Sequence, residues 1–280
     1  MEKLITQDDW FELICKSYSN PPVFFETAKL PGFPSDELQI RTGGQAGVAT
    51  LREAFVFYQD CLTAFNDIGR PLQRDDLLLD FGIGWGRIAR FFLRELPLDR
   101  IHGVDVVQAF LDVARETFNT DKFYLTQPFP PSSLADASYT HIVGYSVFSH
   151  LSEQACVAWM KEFYRILVPG GVVAVTTRGR PFFDFCESLK GQGHEGYLAG
   201  LAEMFESFDA ARARYDAGCV VHSNDERVVS GGALTRDFYG ETFIPEAYAR
   251  TAFSKFFVLE RFVFDSARQS HPMMVFRRNL

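Results

Sequence analysis

Apolar residues fall along this chain in two kinds of run that alternate. Short, nearly unbroken runs read as strands buried on both faces: Leu77 to Leu79, Ile101 to Val106, Lys122 to Leu125, His141 to Tyr145 and Val172 to Thr177. Between them apolar positions return every third or fourth residue, as on a helix with one buried face. Leu51, Phe55, Tyr58, Leu62 and Phe65 precede the first strand. Phe110, Leu111, Ala114 and Phe118 follow the second, and Ala155, Trp159, Phe163, Ile166 and Leu167 follow the fourth. Strand and helix in alternation imply right-handed crossovers, hence an α/β fold with a doubly wound, mostly parallel sheet. Ser152 is the expected N-cap of the last helix, with Glu153 in its first turn, and Pro169, Gly170 and Gly171 are expected to stop it.

The pattern breaks on both sides of this core. Residues 1–50 hold one amphipathic stretch, with Trp10, Phe11, Leu13, Ile14 and Tyr18. Pro21, Pro22, Pro31 and Pro34 then predict an extended, irregular path, and RTGGQAG (Arg41 to Gly47) predicts a flexible turn that is either a linker or a lid over the cofactor. Residues 51–178 make the core. Residues 179–253 are too long for a connection and predict an α-rich insertion, which covers the substrate, forms a dimer interface or is plain structural elaboration. Within it, PFFDFCESLKG reads as one helix and GLAEMFESFDAARARYDAG as a second. Residues 254–280 predict two terminal strands, Phe256 to Asp265 and Met273 to Arg277, as an antiparallel hairpin at the sheet edge.

The chemistry concentrates at Leu77 to Phe92, LLLDFGIGWGRIARFF. A strand ends in Asp80, the chain turns on Gly82, Gly84 and Gly86, and an apolar-periodic helix through Ile88, Phe91 and Phe92 follows. Glycines there let the main chain adopt positive φ and approach a ligand closely. The carboxylate before the turn suits a cationic group rather than a pyrophosphate. A second acid, Asp105, closes the next strand, where it can accept both ribose hydroxyls of an adenosine.

On these residues the chain resembles the class I S-adenosylmethionine-dependent methyltransferases. DFGIGWG followed by GVDV resembles their first two motifs, and GYSVFSHLSE (Gly144 to Glu153) and RILVPGGVVAVTT (Arg165 to Thr177) resemble the later ones, in the expected order. The resemblance implies a seven-stranded Rossmann-like sheet with S-adenosylmethionine as methyl donor and S-adenosylhomocysteine as product. It places the cofactor on Asp80, Gly82, Gly84, Gly86 and Asp105, with Arg87 and Val106 beside them. More loosely it adds Tyr145 and Ser146, which shape the pocket through backbone atoms. Trp85 is either a pocket wall or a core aromatic, and Gln127 either bonds the adenine or faces solvent. Ile83 departs from the family, where small or thiol residues are common between the first two glycines.

Composition narrows the acceptor. A net charge of −8 and a pI near 5.3, with no basic run longer than Arg277-Arg278, argue against nucleic acid. Five cysteines without a C-x-x-C pair suit a reducing cytoplasm and offer no metal spacing. No run approaches the ~18 apolar residues of a membrane span, and the acid-bearing start does not read as a signal peptide. The expected acceptor is therefore a small molecule, such as a sugar hydroxyl or a secondary metabolite. For a hydroxyl acceptor His150, beyond the fourth strand, is the candidate general base, or else it packs at a helix start. Arg178 is a candidate for an acceptor anion, and His194, His222, Tyr239 and Glu241 of the insertion are candidates for substrate contact. Three rivals stay open: a non-catalytic binding protein that keeps the fold, a protein methyltransferase, and a nicotinamide oxidoreductase. The last wants G-x-G-x-x-G without the preceding acid.

Overall fold

The structure is a computed structural model that describes residues 5–229 and 231–280. Seven strands form its main sheet, in the order β10-β11-β7-β6-β3-β4-β5 by the labels given below, and the chain divides into two compact units, Met1–Leu125 and Thr126–Leu280.

In the first unit, α1 (Gln7–Ser19) is opened by Thr6, whose hydroxyl accepts from the Asp9 amide, and it buries Trp10, Phe11 and Ile14. A short hairpin, β1 (Phe24–Phe25) with β2 (Ala28–Lys29), leads to α2 (Asp36–Gly43), which Gly44 ends at φ +74°. The prolines thus punctuate residues 5–50 without making them irregular throughout. Helix α3 (Gly47–Asp67) packs its apolar stripe against the aromatic residues after the glycine turn, with Phe55 and Tyr58 both within 6 Å of the Phe91 ring. Then come β3 (Leu78–Phe81), α4 (Ala89–Phe92), β4 (Ile101–Asp105), α5 (Gln108–Phe118) and β5 (Phe123–Leu125). The three strands are parallel, with Asp80 paired to Gly103 and Asp105 to Leu125. The helix expected after the glycines is only four residues long. Phe91, Arg94 and Glu95 bond back three residues, so the segment coils as tight turns.

The second unit opens with β6 (Tyr139–Gly144), α6 (Glu153–Ile166) and β7 (Leu167–Thr176). Ser152 caps α6 as expected, accepting from the Ala155 amide. The helix ends at Ile166, before the Pro-Gly-Gly, because Leu167 already pairs with Tyr139. The three residues instead make an irregularity in β7, whose register resumes at His141 opposite Val172. The insertion builds α7 (Pro181–Ser188), α8 (Gly196–Glu203), α9 (Phe208–Asp216), β8 (Val221–Ser223), β9 (Glu241–Phe243) and α10 (Glu246–Ala252). Its single expected second helix is two, because the Ser207 hydroxyl accepts from the Ala210 amide and starts α9 afresh. Phe183 and Phe243 stack at 3.9 Å in a core of its own with Leu201, Phe208 and Val221. Last come β10 (Phe257–Val263) and β11 (Met273–Arg278), antiparallel to each other, with β11 antiparallel to β7. The hairpin thus enters the sheet by its second strand and leaves β10 at the edge, as its exposed Val258 indicates. Among the described residues no helix is long and apolar enough to cross a membrane.

Candidate functional site

Two polar sites stand out, one in each unit. The first is the turn after β3, where Gly82, Gly84 and Gly86 take φ of +75°, +54° and +83°. The glycines serve different ends. A Cβ on Gly86 would lie 2.3 Å from the Phe118 ring, so that glycine is needed for packing. A Cβ on Gly84 would meet nothing within 4 Å, so there the backbone borders open space. Ile83 is accommodated because its side chain lies over Gly103 of β4, where a Cβ would come within 2.3 Å of it.

Two carboxylates hold this turn. Asp105 accepts from the Gly84 amide through Oδ2 at 2.8 Å and from the Val107 amide through Oδ1 at 2.9 Å. Burial nonetheless raises its carboxyl above the ordinary range, against the pull of those amides. Asp80 is 1% exposed and accepts from the Ala89 amide at 3.0 Å. Burial, opposed by that amide and reinforced by the nearby Asp105, lifts it to about 7. A buried carboxyl so raised is stabilised by an incoming cation, and each carboxylate keeps lone pairs for further donors. The site therefore fits a ligand with a cationic end and hydroxyls, laid along an open glycine backbone. Val106 is half-buried beside Asp105. Trp85 and Arg87 point elsewhere: Trp85 is buried and donates to Thr42 Oγ1, and Arg87 donates to Glu53 and Thr50 of α3.

The second site lies wholly in the other unit. The chain leaves β6 through Tyr145 and Ser146, and Ser146 sits at φ +58°, its amide donating to Thr176 Oγ1 at 2.7 Å. That bend brings Ser146 Oγ to 3.4 Å from His150 Nε2 and 3.2 Å from Ser149 Oγ. Residues 238–244 return from the insertion and are tied down by backbone bonds. Ser152 donates to Phe238, Gly240 to His150, Thr242 to Ser149, and Arg178 to Thr242. Gly240 is required here, since a Cβ would sit 2.1 Å from the Ser223 carbonyl.

This return strand carries Tyr239, which stacks on His150 at 4.8 Å, and Glu241, which is fully buried. Glu241 Oε2 accepts from Arg178 Nε at 2.7 Å and Oε1 from the Tyr197 hydroxyl at 2.6 Å, with His150 Nδ1 3.3 Å from Oε1. Burial pushes the Glu241 carboxyl up, but Arg178 and His150 outweigh it and hold it well below the usual carboxylate range. Burial, reinforced by the same carboxylate, drives the Tyr197 phenol up. Arg178 also donates to His271 Nε2 at 2.7 Å, and Tyr145 stands 3.4 Å from the other nitrogen of His271. His222 bonds Thr242 Oγ1 at 2.8 Å. Because that hydroxyl donates to the Leu151 carbonyl, the His222 nitrogen facing it carries the proton, which leaves Nε2 a buried acceptor without a partner. Burial lowers the His222 pKa below its ordinary value.

His150, Ser146, Tyr145, Arg178, Tyr239, Glu241 and His222 thus come together as one cluster. Gln127 is exposed, and His194 meets Gln192 Oε1 at 3.3 Å near the surface. Sequence reasoning missed Tyr197, His271 and Gly240. The sequence carried no signal for the first two, whereas the lone glycine before a β segment was a visible trace of the third.

Comparison with known proteins bears on the fold and the family. Residues 78–171 match a family described as a methyltransferase domain. The uncharacterized methyltransferase YdaC of Bacillus subtilis is 27% identical over 148 residues, which is 51% of this chain and 78% of that protein. An S-adenosylmethionine-dependent methyltransferase from Mesorhizobium loti superposes with a TM-score of 0.52 at 13% identity, covering 77% of this chain and 98% of that one. The magnesium protoporphyrin IX methyltransferase of Synechocystis PCC 6803, solved with bound S-adenosylhomocysteine, superposes at 0.51 and 12% identity, covering 86% and 92%. At such identities the two structures speak for the fold.

Proposed function

We propose, from the premise that this chain is a class I S-adenosylmethionine-dependent methyltransferase with its methyltransferase domain at residues 78–171, that it methylates a hydroxyl of a small molecule, of the sugar or secondary-metabolite kind. Gly82, Gly84 and Gly86 cradle S-adenosylmethionine along the backbone. Asp80 takes its cationic end, and Asp105, flanked by Val106, takes its hydroxyls. The observation that carries this reading is Gly84, left-handed, open on its outer side and tied to Asp105 at 2.8 Å. When bound, the cofactor supplies an electrophilic methyl group on a good leaving group.

The chain's own task is then to place a hydroxyl and remove its proton. His150 Nδ1 lies 2.8 Å from the Gly240 carbonyl, an acceptor only, so Nδ1 carries the hydrogen and Nε2 keeps its lone pair. Ser146 Oγ touches that lone pair through a long contact of 3.4 Å, which an acceptor hydroxyl can displace. With an acceptor hydroxyl held at Nε2, that lone pair would take the hydroxyl proton, and the imidazolium would be stabilised by Glu241 behind it. The stacked Tyr239 ring fixes the imidazole plane.

The test is transfer of a labelled methyl group to a panel of sugars, polyols and phenols by the parent and by His150→Ala. The variant should turn over at least tenfold more slowly, within the usual range for general-base loss, with S-adenosylhomocysteine affinity unchanged. Equal rates from about pH 6 to 9 in both proteins would remove His150 from the mechanism.

A further inference from the structure

The cluster around His150 contains a fully buried carboxylate on the inserted segment, and its environment is costly to build. Glu241 is 0% exposed and is paired with Arg178, itself 8% exposed. A buried ion pair of this kind is weak evidence for stability, since apolar residues of similar volume hold a fold as well or better. The pair is also not isolated. Glu241 accepts from Tyr197 of α8 and Arg178 beyond β7, and its remaining capacity at Oε1 is directed at His150 Nδ1. His222 of β8, Tyr239, Cys186 of α7 and His271 also face the cluster, and none of these four is a carboxylate.

We propose that Glu241 is the positioning residue of His150: the insertion supplies the buried countercharge that locks the imidazole with its hydrogen on Nδ1 and its lone pair on Nε2. The inference rests on the reading of His150 as base and extends it to the inserted segment, which then completes the catalytic machinery rather than only covering it. The lock is built in three layers. Backbone bonds from Gly240 to His150 and from Thr242 to Ser149 fix where β9 lies. Arg178 and Tyr197 each occupy one oxygen of Glu241 and fix its rotation. The oxygen shared with Tyr197 then sits 3.3 Å from Nδ1, next to the Gly240 carbonyl at 2.8 Å. Two acceptors, one of them charged, thus meet the same ring nitrogen. A hydrogen on Nε2 instead would leave the Nδ1 lone pair facing both of them.

Glu241→Gln tests this directly. An amide has one acceptor oxygen and one donor NH₂. The 2.7 Å contact to the Arg178 guanidinium keeps the oxygen on that side, which turns the NH₂ toward His150. That NH₂ then opposes the Nδ1 hydrogen, which only the Gly240 carbonyl still accepts, so the Nδ1–H tautomer loses ground to the Nε2–H tautomer, in which the lone pair a base needs is blocked. The experiment is nitrogen-15 NMR of the histidine rings in the full chain, free of cofactor and acceptor, at a pH where His150 is neutral. The parent is expected to show His150 as the Nδ1–H tautomer and Glu241→Gln to populate the Nε2–H tautomer, with Glu241→Asp restoring the parent pattern. A folded Glu241→Gln with parental His150 signals, or a parent already in the Nε2–H form, overturns the proposal.

Because the variant leaves Arg178 without its counterion and can unfold, Tyr197→Phe provides a second arm. Tyr197 is 43% exposed as a residue and tolerates the change, which frees Glu241 Oε1 from the phenol and strengthens its hold on Nδ1–H. The His150 Nδ1–H proton should then move downfield and exchange more slowly. No movement overturns the proposal. Neither arm uses methyl transfer, so a failed tautomer test removes the role of Glu241 alone. Unchanged turnover in His150→Ala would instead remove the base and leave the tautomer lock in place.

Discussion

The glycine turn after β3 and the cluster around His150 are both polar sites, but they are made of different material. The first is built from main chain. Three left-handed glycines within five residues shape it, and two carboxylates from adjacent strand ends hold it. The second is built from side chains spread between Tyr145 and His271, assembled by an insertion that folds back on the exits of β6 and β7. The contrast teaches where each site stores its cost. The turn pays in backbone conformation, which only glycine relieves, while the cluster pays in desolvated charge, which only a partner relieves.

The sharpest way to break the comparison is to remove a partner from the cluster. Arg178→Ala leaves Glu241 buried without its cation and is expected to destabilise the protein by about 3–5 kcal/mol in urea unfolding. A loss under about 1 kcal/mol would mean that water reaches Glu241 and that the site is open.

Next come the glycines. Gly86→Ala adds a Cβ 2.3 Å from the Phe118 ring at a left-handed position, and strain and overpacking together should cost about 3 kcal/mol. Gly84→Ala meets no neighbour, so only the backbone term of about 1 kcal/mol remains. Its larger effect should fall on affinity for S-adenosylhomocysteine, because the new methyl group occupies the open side of the turn. Equal unfolding costs for the two variants would erase the distinction between a packing glycine and a binding glycine.

Asp105→Ala removes the acceptor of the Gly84 and Val107 amides and should weaken S-adenosylhomocysteine binding by about 2 kcal/mol, roughly thirtyfold. Unchanged affinity by calorimetry would place the ribose elsewhere.

The smallest effect is a slope with pH. The folded protein keeps the Asp80 proton up to about 7, whereas the unfolded chain releases it near 3.8. Between these values the folded state binds more protons, so stability without cofactor falls as pH rises through that window. Asp80→Asn should flatten the slope, and urea midpoints across the window would read it. Affinity for S-adenosylhomocysteine, whose ammonium group favours the ionised acid, should rise over the same range in the parent and not in the variant.

The same contrast explains what was legible beforehand. The parallel strands, the C-terminal hairpin and the glycine turn were readable because burial on both faces, alternation and left-handed backbone each demand particular residues at short range. Asp80 and Asp105 were readable because they close strands. The length of α4 was not, since Ile88, Phe91 and Phe92 have the same spacing in tight turns as in a helix. The break between α8 and α9 hid inside an apolar period that continues across Ser207. In the cluster, Arg178, Glu241 and His150 appeared only as separate candidates. Tyr197 carried no mark, because the contact joining it to Glu241 spans 44 positions and leaves no pattern in either segment.

The most direct measurement is calorimetric titration of the purified protein with S-adenosylmethionine, S-adenosylhomocysteine and NADH. Binding of the two sulfur ligands with dissociation constants on the order of micromolar, about −8 kcal/mol, and no heat with NADH is the expected result. No binding of either sulfur ligand, or binding of NADH in their place, would contradict the assignment of the glycine turn and its two carboxylates to this cofactor.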